Sequence, residues 1–187
     1  MDQFALEKQR ETRLFKRLGL LNVRNRLERS WEQSCNAEED GKGCVPFQVA
    51  RNMRGGEIFF VPDRRWYPEA FRLIPRGSVV LDAGAGDLRF SLAIATKAKR
   101  VYAVEINPKV LGPALDVIGY DLPPGVIPIC ADVFEWSVPE EVNCIVCLMI
   151  HRQHTFPVSW RTRKIIHAEF KGLKVRNPEG KRETSNG

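Results

Sequence analysis

Apolar residues recur in two patterns along the chain, and the first occupies the N-terminal part. Over Gln3–Gln33 they return at helical spacing with charged residues between them, which predicts helices. Gly19 interrupts this stretch and predicts a break between two helices. Cys44–Met53 then predicts a short helix, and residues 57–61 predict an extended segment. We therefore expect a helical N-terminal extension over residues 1–56.

The second pattern alternates short apolar runs with helical segments. The elements it predicts are helices over Tyr67–Leu73, Leu88–Ala98 and Pro108–Ile118, and strands over Val79–Ala83, Arg100–Ile106, Gly125–Cys130 and Asn143–Ile150. Nearly continuous apolar strands separated by helices are typical of a parallel sheet that is buried on both faces. The fold class is therefore α/β, a Rossmann-like, doubly wound, mostly parallel sheet over residues 57–176. The polar segment 177–187 predicts a disordered tail.

The strand Val79–Ala83 runs directly into a glycine-containing turn that precedes a predicted helix. Gly84 and Gly86 allow the backbone to bend sharply and a ligand to approach it closely. Because ligands of open parallel sheets bind beyond the carboxyl ends of the strands, this turn is a candidate ligand site. A dinucleotide fingerprint needs a third glycine where this chain has Arg89. That difference weighs against a nicotinamide dinucleotide, although an oxidoreductase stays open as an alternative.

Three acidic residues lie at or just after the ends of three predicted strands. A carboxylate at Asp82 is unfavourable beside a pyrophosphate but suits a ligand with an ammonium and a sulfonium group. Glu105 is placed to accept hydrogen bonds from both hydroxyls of a ribose. Asp132 is placed to accept a hydrogen bond from the amino group of an adenine that lies against Val133 or Phe134. Alternatively, the three acids are a helix cap, a solvated strand end and a turn former, respectively.

The sequence D-A-G-A-G-D, followed by A-V-E-I-N and then by A-D-V-F, resembles the class I S-adenosylmethionine-dependent methyltransferase family. The resemblance covers residues 79–150 and implies S-adenosylmethionine as the cofactor. It implies that the methionine part lies at the first of these motifs, the ribose at the second and the adenine at the third. The cofactor-binding residues so implied are Asp82, Ala83, Gly84, Ala85, Gly86, Glu105, Ile106, Asp132 and Val133.

The chain departs from this family directly after the fourth predicted strand. Methyltransferases that act on amino groups of nucleic acids carry an Asn/Asp-Pro-Pro-Tyr-like signature there, whereas this chain reads H-R-Q-H. His151 and His154 are the catalytic candidates, either as a general base or as groups that orient a substrate. Both are also compatible with solvated loop residues.

The C-terminal part is short for this family, whose sheet has seven strands. Four strands are accounted for by Ile150, after which 37 residues remain. Arg163–Phe170 predicts a fifth strand or a helix, and we see no clear room for the family's final antiparallel hairpin. We therefore expect a sheet shortened at this end, with an open edge that an oligomer or a partner would complete.

Charge adds a possible partner to this picture. The net charge is +6 with a pI near 9.2. Eight basic residues stand against three acidic ones over Glu7–Arg29, and nine against two over Arg152–Arg182. Two basic ends predict contact with RNA or another anionic partner, or else solvated helix faces. No apolar run reaches membrane-spanning length and the N-terminus lacks a secretory signal, so we expect a cytoplasmic protein without a membrane partner.

The five cysteines match no disulfide framework. Cys144 and Cys147 form a C-x-x-C sequence, but in a strand these positions point to opposite faces. This favours buried thiols over a metal site.

Taken together, the sequence favours a methyltransferase of unknown acceptor, with RNA or protein preferred. The alternative is a non-catalytic module that binds S-adenosylmethionine or nucleic acid, which the missing catalytic signature and the short C-terminal part suggest.

Overall fold

The computed structural model describes residues 3–39, 48–51, 57–59, 62, 64–148, 156–169 and 172–178. Two helices begin the chain, α1 over Gln3–Arg17 and α2 over Leu21–Glu39. Gly19 lies between them with a φ of +72°, which glycine adopts without steric cost, so the predicted break is confirmed. None of the described helices is both long and apolar enough to span a bilayer.

Two short strands follow the helices and pair antiparallel, β1 over Gln48–Arg51 and β2 over Glu57–Phe59. The helix predicted over Cys44–Met53 is therefore wrong at Gln48–Arg51, and its remaining residues lie outside the described part of the chain. An isolated helix of that length is marginal, whereas strand pairing gives the backbone groups partners. The predicted extended segment is confirmed over Glu57–Phe59, and its last two residues lie outside the described part.

The remaining elements alternate as the sequence predicts. They are α3 Tyr67–Leu73, β3 Val79–Ala83, α4 Arg89–Ala95, β4 Arg100–Glu105, α5 Pro108–Ile118, β5 Val126–Cys130, β6 Cys144–Cys147, β7 Lys164–Glu169 and β8 Gly172–Arg176. Short 3₁₀ turns occupy Gly119–Asp121 and Val158–Trp160. The Rossmann-like fold class is confirmed.

The order of the strands in the sheet reverses at β3. It runs β5-β4-β3-β6-β7-β8, with the first five strands parallel and β8 antiparallel to β7. The chain moves outward from β3 to β5 and then returns to the other side of β3 with β6. This reversal is a topological switch point, where open α/β sheets bind their ligands at the carboxyl ends of the strands.

The C-terminal strands settle one open choice and correct one expectation. Arg163–Phe170, predicted as a strand or a helix, is a strand over Lys164–Glu169. The expectation of no room for a final antiparallel pair is wrong, because Gly172–Arg176 pairs with it after only two intervening residues. The sheet nevertheless has six strands among the described residues, one fewer than the family resemblance implies.

The central strands β3 and β6 are buried on both faces, but by different kinds of structure. Helices α1 to α5 contribute to one apolar cluster, together with alternate strand residues such as Val80 and Val146. The other face is covered by the segments 131–142 and 156–160, in which the rings of Phe134 and Phe156 stack on Trp160.

The C-x-x-C cysteines of β6 illustrate this two-sided burial. Cys144 belongs to the cluster on the helix side, and Cys147 belongs to the cluster on the other face. The prediction that their side chains point to opposite faces is confirmed.

Candidate functional site

The turn after β3 has an unusual backbone, fixed by its neighbour strand. Gly84 and Gly86 have φ values of +76° and +56°, and Leu88 has a φ of +63°. Left-handed conformations are favourable for glycine and disfavoured for leucine. The N–H groups of Gly84 and Ala85 both donate to the carbonyl oxygen of Val104 in β4, at 2.9 Å. The turn is therefore held against the end of β4.

Glu105 at the end of β4 lies directly against this turn. Its Oε2 accepts the N–H of Gly86 at 2.9 Å, and its Oε1 accepts the N–H of Asn107 at 2.9 Å. The residue is 7% exposed, which does not fit a solvated strand end. A carboxylate offers about four acceptor sites, so each oxygen keeps one free for a further donor.

Asp82 in β3 is a buried carboxyl group beside the same turn. It is 4% exposed, and the hydroxyl of Ser91 in α4 donates to its Oδ2 at 2.5 Å. Burial raises the pKa of Asp82 to about 7, against the lowering effect of the Ser91 hydrogen bond, and the charge of Glu105 raises it further. Near neutral pH, the proton on Asp82 is therefore held weakly enough for an approaching cation to displace it.

Asp132 follows β5 and forms a turn. Its Oδ1 accepts the N–H of Phe134 at 2.9 Å, and its carbonyl accepts the N–H of Trp136 at 2.9 Å. Asp132 is therefore a turn former in the structure. It is also half-buried and lies at the same end of the sheet as Glu105, since Glu105 pairs in register with Cys130, two residues before Asp132.

Apolar residues accompany these acids. Ile106, directly after Glu105, is 56% exposed, and Val133, directly after Asp132, is buried. Ala83 and Ala85 are both buried beside the glycines. The structure thus brings the predicted cofactor-binding residues to the carboxyl ends of β3, β4 and β5.

The predicted catalytic residues His151 and His154 lie outside the described part of the chain, so their role stays a prediction. Among the described residues, no group of three or more His, Cys, Asp or Glu side chains is arranged to hold a metal ion.

Sequence reasoning missed one feature of the site, the role of Arg89 at the start of α4. The sequence showed only that this residue replaces a third glycine. In the structure Arg89 is fully buried and forms ion pairs with Asp87 in the turn and with Glu11 and Glu28 in α1 and α2. One signal was available: Glu11 shares the helical phase of the apolar residues Leu14, Phe15 and Leu18. A charged residue on the apolar face of a predicted helix is a signal of a buried ion pair.

No protein-family model matches the chain. No curated protein matches it either. Solved structures do match, among them methyltransferases. Trm5b from Pyrococcus abyssi is 30% identical over 48% of this chain and 27% of its own, with a TM-score of 0.43.

Two proteins of Methanocaldococcus jannaschii also match. Trm5, solved in complex with adenosine, is 30% identical over 47% of this chain and 28% of its own, with a TM-score of 0.41. TYW2, solved in complex with AdoMet, is 22% identical over 58% of this chain and 53% of its own, with a TM-score of 0.47. This chain therefore spans about a quarter to a half of the length of these proteins.

Proposed function

We propose that this chain binds S-adenosylmethionine at the carboxyl ends of β3, β4 and β5 and transfers its methyl group to an acceptor. One observation carries the proposal. Asp82, Glu105 and Asp132 end or follow three adjacent parallel strands, and the carboxylate of Glu105 is hydrogen-bonded to the glycine turn. Acids at this edge favour a ligand with hydroxyl, amino and cationic groups over a pyrophosphate.

The donors and acceptors of the site fit the groups of this cofactor. The free acceptor sites of Glu105 match two ribose hydroxyls. The buried carboxyl of Asp82 matches an ammonium or sulfonium group, because a nearby cation favours its ionised form. Exposed Ile106 provides an apolar surface for an adenine ring.

The chemistry needs little from the protein beyond positioning. When bound, the cofactor supplies a methyl group already activated by the sulfonium. The residues of this chain hold the cofactor and the acceptor in line and exclude water. Positioning of this kind contributes strongly to the rate of a reaction between two molecules. His151 and His154, after β6, are the proposed groups that orient the acceptor or take its proton.

We propose RNA as the acceptor class, on the basis of a stripe of charge on α1. Arg10, Arg13, Lys16 and Arg17 are all exposed, whereas Glu11, Leu14 and Phe15 of the same helix are buried. None of the four is among the bases that pair with a carboxylate of a described residue within 4.0 Å. Bases without local partners are available to neutralise phosphates, which dominate the affinity for nucleic acids.

The proposal is tested first by isothermal titration with S-adenosylmethionine, S-adenosylhomocysteine and NADH in parallel. Micromolar binding of the first two alone supports it, and binding of NADH alone would point to an oxidoreductase. Transfer of labelled methyl to RNA, DNA and protein pools then identifies the acceptor class. Binding of cofactor without transfer to any pool would identify the non-catalytic alternative, and transfer to protein alone would refute RNA as the acceptor.

A matched variant tests the RNA surface separately. Replacing Arg13 and Arg17 with Gln removes two charges from the exposed side of α1. We expect weaker RNA binding with a shallower salt dependence, whereas binding of S-adenosylhomocysteine stays unchanged. Equal replacement of Arg72 and Arg76, which are also exposed but do not belong to α1, is the control for total charge.

A further inference from the structure

Between the N-terminal helices and the glycine turn lies a buried set of charged side chains, which we call the ion network. It comprises Glu11, Arg24, Glu28, Arg64, Asp87 and Arg89. Each member is at most 4% exposed, and the three acids balance the three arginines. Buried charges persist in proteins when they are paired and hydrogen-bonded, so this arrangement defines one geometry for the parts it joins.

Arg89 is the centre of the network. Its Nε donates to Oδ2 of Asp87 at 2.8 Å, and its Nη1 donates to Oε2 of Glu28 at 2.8 Å and to Oε1 of Glu11 at 3.1 Å. Its backbone N–H also donates to Oδ1 of Asp87 at 3.2 Å. One guanidinium thus connects the last part of the turn to both N-terminal helices.

The two other arginines hold the acids in place from the far side. Arg24 donates to Glu11 Oε2 at 2.5 Å, and Arg64 donates to both oxygens of Glu28 at 2.7 and 2.6 Å. Burial raises the pKa of Glu28, but hydrogen bonds from Arg64 and Arg89 outweigh this effect and hold that pKa well below its ordinary value. Both acids therefore face Arg89 in fixed positions.

The part of the turn that the network holds is also the part with unfavourable backbone. Leu88, between Asp87 and Arg89, has a φ of +63° and is fully buried. A residue with a side chain keeps such a conformation only when its surroundings impose it. The same turn contains Gly86, whose N–H binds Glu105.

From this geometry we infer that Glu11 and Glu28 are positioning residues for the cofactor site, acting through Arg89 and Asp87 to hold the turn in its ligand-binding conformation. The N-terminal helices are then part of the site, although they supply none of its predicted ligand contacts. This inference rests on the proposed function for its ligand, but its prediction about the turn holds for the protein alone.

The first test uses the wild-type protein and hydrogen exchange. Because linkage is reciprocal, binding of S-adenosylhomocysteine should slow exchange of the amides around Glu11 and Glu28 as well as those of the turn. Protection confined to the sheet edge would overturn the inference. An absence of any binding would instead count against the proposed function.

The second test compares Glu11→Gln with Leu14→Ala, a control that destabilises the same helix through an apolar contact. We expect Glu11→Gln to weaken S-adenosylhomocysteine binding by at least about fivefold, whereas Leu14→Ala changes it less than twofold at a similar loss of melting temperature. Without ligand, the Gly86 amide should exchange faster in Glu11→Gln only. Equal behaviour of the two variants in both measurements would refute positioning.

Arg89→Lys provides a second variant should Glu11→Gln not fold. It keeps the charge but cannot reach three carboxylates with a fork of donors. We expect the same loss of affinity and the same faster exchange at Gly86. Unchanged affinity and exchange in this variant would refute the role of Arg89 as the connection.

Discussion

We expect the proton on Asp82 to link binding of S-adenosylmethionine to pH, and the raised pKa of this residue sets the size of the effect. With a pKa of about 7, raised by burial and by Glu105, Asp82 is ionised in about nine tenths of molecules at pH 8 and in about one tenth at pH 6. A cationic ligand group binds the ionised form. Because apparent affinity scales with the fraction of the competent form, we expect the Kd for S-adenosylmethionine to rise about tenfold from pH 8 to pH 6.

Calorimetry at pH 6, 7 and 8 measures this effect directly. At pH 7, titrations in two buffers with different ionisation enthalpies should show release of about half a proton per ligand bound. Asp82→Asn is the control, since it keeps the side-chain shape but cannot ionise, and its weaker binding should not vary over this range. A wild-type Kd that stays within twofold between pH 6 and pH 8 would refute the assignment of Asp82 to a cationic group.

The same carboxyl should also affect the stability of the protein without ligand. The folded pKa of Asp82 lies above its ordinary value of 3.8, so the folded state binds the proton more tightly than the unfolded state does. Stability from this group is present below about pH 4 and is lost as the pH rises through about 7. Wild type should therefore lose melting temperature relative to Asp82→Asn between pH 5 and pH 8, and parallel curves would contradict the raised pKa.

Three further outcomes are expected. Glu105→Gln replaces one acceptor oxygen by an amide nitrogen that meets a backbone N–H. Calorimetry should therefore show a melting temperature lower by roughly 2–12 °C, and a shift below 1 °C would contradict this. Gly84→Val, at a φ of +76°, should cost about 1–2 kcal/mol in thermal unfolding and remove cofactor binding, and wild-type affinity would contradict the role of the turn. Iodoacetamide at pH 8 should label exposed Cys130 in the native protein, but should label Cys144 only after urea is added, because burial shields that thiol and raises its pKa to about 11. Mass spectrometry measures the labelling, and labelled Cys144 in the native protein would contradict this expectation.

The sheet and the glycine turn after β3 were predictable because their signals are local. The strand Val79–Ala83 is buried along its whole length, and all of its residues except Asp82 are apolar. Its bounds match the prediction. The helices Tyr67–Leu73 and Pro108–Ile118 also match, and each carries a proline in its first turn, a strong start signal. Gly84 and Gly86 mark the turn because few other residues tolerate its backbone.

Both errors concern short strands that pair antiparallel with the strand next to them along the chain. The segment Gln48–Arg51 is a strand because Glu57–Phe59 lies beside it, which no helical periodicity reveals. Gly172–Arg176 likewise forms a strand against β7, where counting residues suggested no room. In both cases the partner strand, and not the local sequence, provides the hydrogen bonds that decide the backbone conformation.

Arg89 shows how one departure from a motif carries two meanings. In the sequence, Arg89 stands where a dinucleotide-binding fingerprint has its third glycine, and this weighs against a dinucleotide. In the structure, its guanidinium pairs with Glu11, 78 residues earlier in the chain, and with Glu28. An unpaired buried charge is strongly destabilising, so the turn and the helices cannot separate without a large cost. The helical N-terminal extension is predicted to end at residue 56, but the ion network crosses this boundary. The glycine turn therefore depends on residues from both sides of it.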